Sequence, residues 1–409
     1  MVRRTFLPFA ILALAGLAAC SAQAGTLTPS LPTDSLPVSA GTSTPVPSFT
    51  VTPIPTASVT PIAPALPVLA APALVWIDFQ DAQDGWGIAI TARGSVLRTL
   101  DGGSTWLEAS PPGIGPLGLS DNLTVLNSNT AWVLVPGSDF FSGTLYRTGD
   151  GGSSWNSSKV PFSGALMQFQ DDSHGFALAE RGANAGSEAV ELFQTSDGGV
   201  RWTSMFHNDP GLPGASDSLP LVGIKNGMTF VDANTGWVTG SIPVDGEIYL
   251  YTTRDGGASW SQQRLPLPAG YEQYRYLPQA PVFFGQDGFL PLTIYRPEAA
   301  GLTFFTSHDG GLTWSGDPAN AGQVINPCLP AVADALHIWC WDGGADLYSS
   351  RDGARTWDKA HPGLNLGGNL SRLESAPGFT GWALTRLDEA GHSQLYHSTD
   401  GLNWMPLIP

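Results

Sequence analysis

The stretch from Arg98 to Trp106, Arg-Thr-Leu-Asp-Gly-Gly-Ser-Thr-Trp, recurs with small changes seven times and limits what this chain can fold into. Aligned on the acid, the copies stand at Asp101, Asp150, Asp197, Asp255, Asp309, Asp352 and Asp400. Thr or Ser lies two residues before each acid, Gly follows every one, and a second Gly follows in the first five. Trp106, Trp155, Trp202, Trp260, Trp314 and Trp357 close six copies five residues after Asp; Trp404 closes the seventh one residue sooner. An Asp side chain accepts hydrogen bonds from backbone N–H groups just ahead of it and so fixes a turn. Gly-Gly supplies the positive φ of a tight hairpin, and Trp opens the return strand with a large apolar surface. A lone Asp in this setting invites a catalytic reading. Seven at one position are turn formers.

A second signature precedes each box. A short β-prone run, such as Trp76-Ile77-Asp78-Phe79, leads to a Gly-aromatic pair, such as Gly85-Trp86. The aromatics are Trp86, Trp132, Phe176, Trp237, Phe289, Trp339 and Trp382, with Ala131 and Ile338 replacing Gly in two copies. A further apolar run (Val96-Leu97-Arg98; Leu145-Tyr146-Arg147) enters the box. Each repeat therefore predicts four short strands. The boxes are 49, 47, 58, 54, 43 and 48 residues apart, the spacing of β-propeller blades. A solenoid fits that period too, but its end repeats need distinct caps, and here the first and last repeats resemble the middle ones. The expectation is an all-β fold, one seven-bladed propeller over residues 74–409. Its repeated aromatics pack blade against blade.

The chain carries 18 Lys+Arg against 35 Asp+Glu, a formal charge of −17, which excludes a nucleic-acid binder built on a basic stripe. It suits basic partners or cations. Arg3 and Arg4 precede an apolar run, Phe6 to Gly16, too short to span a bilayer. That run ends in Leu17-Ala18-Ala19-Cys20, which resembles a bacterial lipobox and implies that Cys20 is diacylated and becomes the mature N-terminus. Cleavage near Ala22–Ala24 as an ordinary secretory peptide is the competing outcome. Residues 1–20 are thus the signal, and the protein is expected at the cell envelope, on the extracytoplasmic side of a bacterial membrane. Residues 21–73, rich in Pro, Ser and Thr, form a linker. At about 3.1 Å per residue in an extended polyproline conformation, it reaches ~100 Å or more from the anchor.

Cys328 and Cys340 flank the first hairpin of the sixth repeat. In an oxidising compartment a disulfide is favoured over two free thiols. A metal site would need His337 and a fourth ligand that the sequence does not offer, so neither metal nor cofactor is expected.

The box resembles the Asp box of BNR (sialidase-type) repeats, Ser/Thr-x-Asp-x-Gly-x-Thr-Trp, from about Leu74 to the C-terminus. Seven such boxes, each after a Gly-aromatic pair, are similar to the photosystem II stability/assembly factor family. That resemblance implies a single non-catalytic propeller, monomeric, which binds a protein partner in an extracytoplasmic or thylakoid compartment. The arginine-rich patch described for that family has no counterpart among the scattered Arg147, Arg201, Arg254, Arg275 and Arg296. The alternative is a glycan-binding protein or a sialidase-like glycoside hydrolase. Sialidase chemistry needs an Arg cluster, a Tyr-Glu pair and an acid/base Asp. The early Phe/Tyr-Arg-Ile-Pro motif is missing, with only Tyr274-Arg275-Tyr276-Leu277-Pro278 as an echo in another repeat. Propeller xyloglucanases use a cleft between two propellers, and this chain has repeats for one.

Blade topology places the boxes on one face and the variable loops on the other, where binding loops usually lie. Candidate residues on the loop face are Phe140, Phe141, Asp245, Glu247, Tyr271, Tyr274, Tyr276, Asp388 and Glu389. The sharper expectation is an acidic face with aromatic anchors, suited to a basic or membrane-associated protein. The plainer one is solvated loop charge.

Overall fold

The computed structural model describes residues 66–407, apart from 91–93, 115–116, 118–122, 140, 268, 296–299, 317–327 and 377–378. The expected signal over residues 1–20 with Cys20, the expected linker as far as residue 65, and Phe140 lie outside the described residues.

Each box closes a hairpin through two side chains. In the first, the Thr99 hydroxyl donates to Asp101 Oδ1 at 2.9 Å and accepts from the Gly103 N–H at 2.9 Å. Asp101 accepts from the Thr105 N–H at 2.8 Å and from the Thr105 hydroxyl at 2.7 Å. Ser154, Ser259, Thr313 and Thr356 repeat that hydroxyl bond at 2.6 Å. In the third box Arg201 takes the place as an ion pair with Asp197 at 3.2 Å, and in the shortened seventh Asn403 donates to Asp400 at 2.6 Å. The box glycines have positive φ, 72° at Gly102 and 96° at Gly103; Ala354 adopts φ 68° where the sixth copy lacks its second Gly.

A second turn recurs between the first two strands of a blade. Asp81 Oδ1 accepts from the N–H groups of Gln83 and Asp84, both at 2.8 Å. Asn127, Asp171, Asp232 and Asp334 do the same in their blades. The two turns meet, since the first box Gly donates to a carbonyl of this turn: Gly102 to Gln83 at 2.8 Å, Gly198 to Ser173 at 2.8 Å, Gly353 to Leu336 at 3.0 Å. Both connections therefore share one face of the fold.

All regular structure among the described residues is strand, arranged as seven antiparallel sheets in a seven-bladed β-propeller. Blade one comprises Leu74–Phe79, Gly85–Ala89, Ser95–Thr99 and Trp106–Glu108, counted from the innermost strand outward. Val68–Leu69 adds a fifth strand along its outer edge, pairing with Leu107 and Trp106, so ordered chain begins ahead of Leu74. Blade five departs from the pattern. Its innermost strand is split into Arg275–Pro278 and Val282–Phe284, and its outer edge reduces to one bridge, Thr306 to Ser315. Blade seven comprises Leu370–Ala376, Thr380–Thr385, Leu395–Ser398 and Met405–Leu407. First and last blades each keep their own four strands. The ring closes without strand exchange.

Side chains do that closing, and the Gly-aromatic pair shows how. Phe79, Phe169 and Phe230 end their innermost strands directly opposite Gly85, Gly175 and Gly236. A Cβ on any of those glycines would stand 2.6 Å from the Phe ring. Where the strand ends in Val125 or Val332 the ring is absent, and Ala131 and Ile338 stand opposite. Each Phe then stacks on the aromatic of the preceding blade: Phe169 on Trp132 at 3.5 Å, Phe230 on Phe176 at 3.7 Å, Phe79 on Trp382 at 3.8 Å. The box Trp meets the same Phe edge-on, as Trp202 does Phe169 at 6.0 Å. Aromatic packing joins the blades, as the sequence pattern predicts.

In blade six, Cys328 and Cys340 form a disulfide with Cα atoms 5.5 Å apart, inside the usual span. Cys340 is fully buried.

Candidate functional site

The face that carries the boxes is tied into its own turns. The Thr313 hydroxyl and N–H, with the Ser307 hydroxyl, hold Asp309 down at about 2. The Asn403 N–H and side-chain amide do the same for Asp400, also at about 2. These carboxylates are ionised and saturated with donors, so they have little left for a ligand.

On the opposite face the expected residues divide. Asp245 and Glu247 are exposed on the loop of blade four, but Asp245 is paired with Arg275 at 3.1 Å. Asp388 caps a turn of its own, accepting from the N–H groups of His392 at 2.8 Å and Ala390 at 2.9 Å. Those bonds, led by His392, lower its pKa. Glu389 beside it is exposed. Phe141 is 63% exposed on blade two. The three tyrosines correct the expectation of aromatic anchors. Tyr276 is 2% exposed, because it lies in the innermost strand of blade five, paired with Ile294, and the alternation of that strand turns it inward. Its hydroxyl donates to the Tyr271 carbonyl. Tyr271 and Tyr274 are half-buried, edge-to-face at 5.5 Å, and pack on the cluster that holds Leu265 and Ile294. They are framework for the loop rather than free anchors.

What the structure does assemble on this face lies across blades three to five. The middle hairpin of blade three, Gly175–Asn184 and Ser187–Thr195, is its longest. Residues 208–223, the connection to blade four, fold back along it: the Glu188 N–H donates to Leu221 at 2.8 Å and the Gly223 N–H to Gly186 at 2.7 Å. Beneath them Lys225, 2% exposed, donates from its ammonium to the carbonyls of Glu188 and Pro220 at 2.8 Å and of Leu221 and Gly223 at 3.1 Å. The buried Glu188 carboxylate accepts from the Lys225 N–H, and the Tyr249 ring lies 5.3 Å from the ammonium. The next loop is joined on by the Gly246 N–H, which donates to Tyr274 at 2.8 Å.

This clamp fixes the backbone at Leu221 and Val222 in solvent, and Leu212 and Val244 are exposed on the same connection and on the next loop. Leu212 is 45% exposed, Leu221 36%, Val222 42% and Val244 46%. Glu180, Asp217, Glu247 and Glu272, on the loops of the same blades, are exposed as well. Exposed apolar side chains on a hydrogen-bonded loop, with acidic residues on the neighbouring loops, suit contact with another molecule. The aromatic pattern of the loops does not point to these four aliphatic residues. The signal available was Ser218-Leu-Pro-Leu-Val-Gly223, an apolar run in a long loop.

No protein-family model and no curated protein matches the chain. Among solved structures, YCF48 bound to D1 peptide is 14% identical and aligns over 79% of this chain and 91% of its own, with a TM-score of 0.51. The likeness is one of fold. YCF48 from Cyanidioschyzon merolae is 19% identical over 78% of this chain and 95% of its own, with a TM-score of 0.50. An ulvan lyase of polysaccharide lyase family PL25 is 11% identical over 82% and 94%, with a TM-score of 0.49.

Proposed function

We propose that the protein is a non-catalytic binding propeller, lipid-anchored through Cys20 on the extracytoplasmic side of a bacterial membrane, whose loop face takes a basic, apolar-anchored segment of a protein partner. The observation that carries this reading is the Lys225 clamp, which spends a buried cation on fixing Leu221 and Val222 where water meets them. Surface apolar groups held rigidly pay little ordering entropy on binding. The acidic residues on the neighbouring loops supply charge complementarity and steer a basic partner. The YCF48 structure with a D1 peptide supports peptide capture as a use of this architecture. Lipidation rests on Leu17-Ala18-Ala19-Cys20.

The test is kinetic, on a partner captured by cross-linking from membranes that carry the wild-type protein. Leu221→Ser with Val222→Ser raises the dissociation rate tenfold or more, as removal of a buried apolar centre does. Glu247→Gln with Glu272→Gln slows association and flattens its salt dependence. Leu312→Ser, on the box face, changes neither. Wild-type kinetics in both loop-face variants would move the binding site elsewhere.

A further inference from the structure

The innermost strands of a propeller lie where the blades converge, and among the described residues they carry two carboxylates, Asp78 and Glu374. Both sit on the one seam that no chain crosses. Asp78 is in Leu74–Phe79 of blade one, and Glu374 in Leu370–Ala376 of blade seven. They occupy the same register, Asp78 opposite Trp86 and Glu374 opposite Trp382. The corresponding positions of other blades are neutral, Thr124, Gln168, Thr229 and Ala331.

Between the two acids stands a single cation. Arg372 Nε is 2.6 Å from Glu374 Oε1, and its guanidinium lies 4.9 Å from the Trp76 ring of blade one. Gln80 donates to Asp78 Oδ1 at 2.5 Å. Asp78 is 5% exposed, Arg372 4% and Glu374 7%. The neighbouring strands Gly85–Ala89, Leu123–Val125, Leu329–Val332 and Thr380–Thr385 carry no ionisable residue. Two ionised carboxylates with one guanidinium would leave a net negative charge on side chains that are nearly closed to solvent, which is strongly unfavourable. One proton removes that charge.

We propose that a proton held by the Asp78–Glu374 pair latches blade seven to blade one, so that the ring closes with proton uptake and its seam loosens when the proton leaves. Burial pushes Glu374 up to about 7, Arg372 opposing and Asp78 adding to the rise; burial likewise pushes Asp78 up to about 6 against Arg372 and Gln80. Both lie above the ordinary carboxylate values, so the folded state binds the proton more tightly than the unfolded chain. The stabilisation is complete below about pH 4 and is lost as pH rises through 6 and 7.

The experiment follows urea unfolding of the full chain from pH 5 to 8, together with hydrogen exchange corrected for intrinsic rates. In wild type the unfolding constant rises with pH between 5 and 7, by about tenfold per unit for each proton that the pair releases. Glu374→Gln leaves Asp78 and Arg372 balanced without a proton, so the rise is lost; the slope that remains belongs to other groups such as His397, whose burial lowers its pKa and acts with the opposite sign. Asp78→Asn reports the same balance with Glu374 and serves if Glu374→Gln does not fold. Exchange protection in 74–79 and 370–376 falls between pH 5.5 and 7.5, while that in 224–230 of blade four stays constant. Equal pH slopes in wild type and the foldable variant, or a loss of protection shared evenly by blade four, would overturn the proposal.

Discussion

Phe79 and Trp382 stack with ring centroids 3.8 Å apart and planes within 3° of parallel, which binds the first blade to the last. The Trp382 indole N–H donates at 2.9 Å to the carbonyl of Gly102, 280 residues away. Trp132 makes the equivalent bond to Gly198 between blades two and three, also at 2.9 Å. The closing seam is thus built like an internal one, except that no peptide bond holds it.

Removing that stack tests how far side chains alone close the ring. Phe79→Ala deletes the contacts with Trp382 and Trp106 and leaves a cavity, at a cost of about 3–5 kcal/mol. Urea unfolding gives the value, and hydrogen exchange locates the damage in blades one and seven. A loss under about 1 kcal/mol would mean that other contacts hold the seam.

The boxes make a different set of expectations, because their bonds are local. Thr253→Val removes the hydroxyl that accepts from Gly257 at 2.8 Å and donates to Asp255 at 2.8 Å, and destabilises by about 1–3 kcal/mol. Arg201→Ala breaks an ion pair whose Arg is 88% exposed and changes stability by less than about 1 kcal/mol. Ala354→Gly relieves a side chain held at φ 68° and raises stability by about 1 kcal/mol. Thermal melts of the three variants should therefore move down, hardly at all, and up.

Much of this architecture is legible in the sequence because the repeats obey short-range rules. The Asp, the Gly-Gly pair and the Trp each act within about five residues, and seven copies average out local exceptions. The substitution of Ala131 and Ile338 for Gly becomes intelligible only with Val125 and Val332 opposite them, a cross-strand relation that one linear copy does not display. Tyr276 was expected outside because the start of a split strand looks like loop sequence. Asp78 and Glu374 did leave a trace, each standing eight residues ahead of its Gly-aromatic Trp where other copies are neutral. Their consequence depends on the seam, which is a property of closure and not of any repeat. Lys225 is similar: a lone charge in a strand-like run says nothing of the four carbonyls that surround it.

Acid should unfold the protein through its boxes. Asp309 and Asp400 are lowered to about 2 by their turn donors, and Asp101, Asp150, Asp255 and Asp352 are lowered as hydrogen bonds outweigh burial. Folded values below the unfolded 3.8 mean that this stabilisation is present above about pH 4 and is lost as pH falls toward 2. A plot of stability against pH from 2 to 4 should rise, and Asp309→Asn should make it shallower. An unchanged slope in that variant would remove box titration as the cause.

Anchoring is tested apart from folding. Cys20→Ser deletes the only atom to which the lipobox resemblance assigns an acyl chain. Two chains suffice for stable membrane attachment, and their loss should move the protein from the detergent phase to the soluble extracytoplasmic fraction. Identical partitioning of both forms would favour cleavage near Ala22–Ala24 as an ordinary secretory peptide.

The loop-face clamp gives the most demanding expectation, since it links a buried charge to a surface. Lys225→Met keeps the length of the side chain and its apolar stem but removes the ammonium from the carbonyls of Glu188, Pro220, Leu221 and Gly223. Four carbonyl acceptors then lose the ammonium of a residue that is itself 2% exposed, which destabilises by about 1–3 kcal/mol. The damage should be uneven. Amides of 208–223 should exchange at least tenfold faster, while those of the innermost strand of blade seven, Leu370–Ala376, keep their protection. Partner affinity should fall through slower association as well, because Leu221 and Val222 must then be ordered at each encounter. Lys225→Arg separates charge from geometry: it restores the cation, but a planar guanidinium does not fit a cradle formed by carbonyls converging on one ammonium, so recovery should be partial. If Lys225→Met loosens every blade alike, or leaves 208–223 as protected as before, the clamp does not shape this surface.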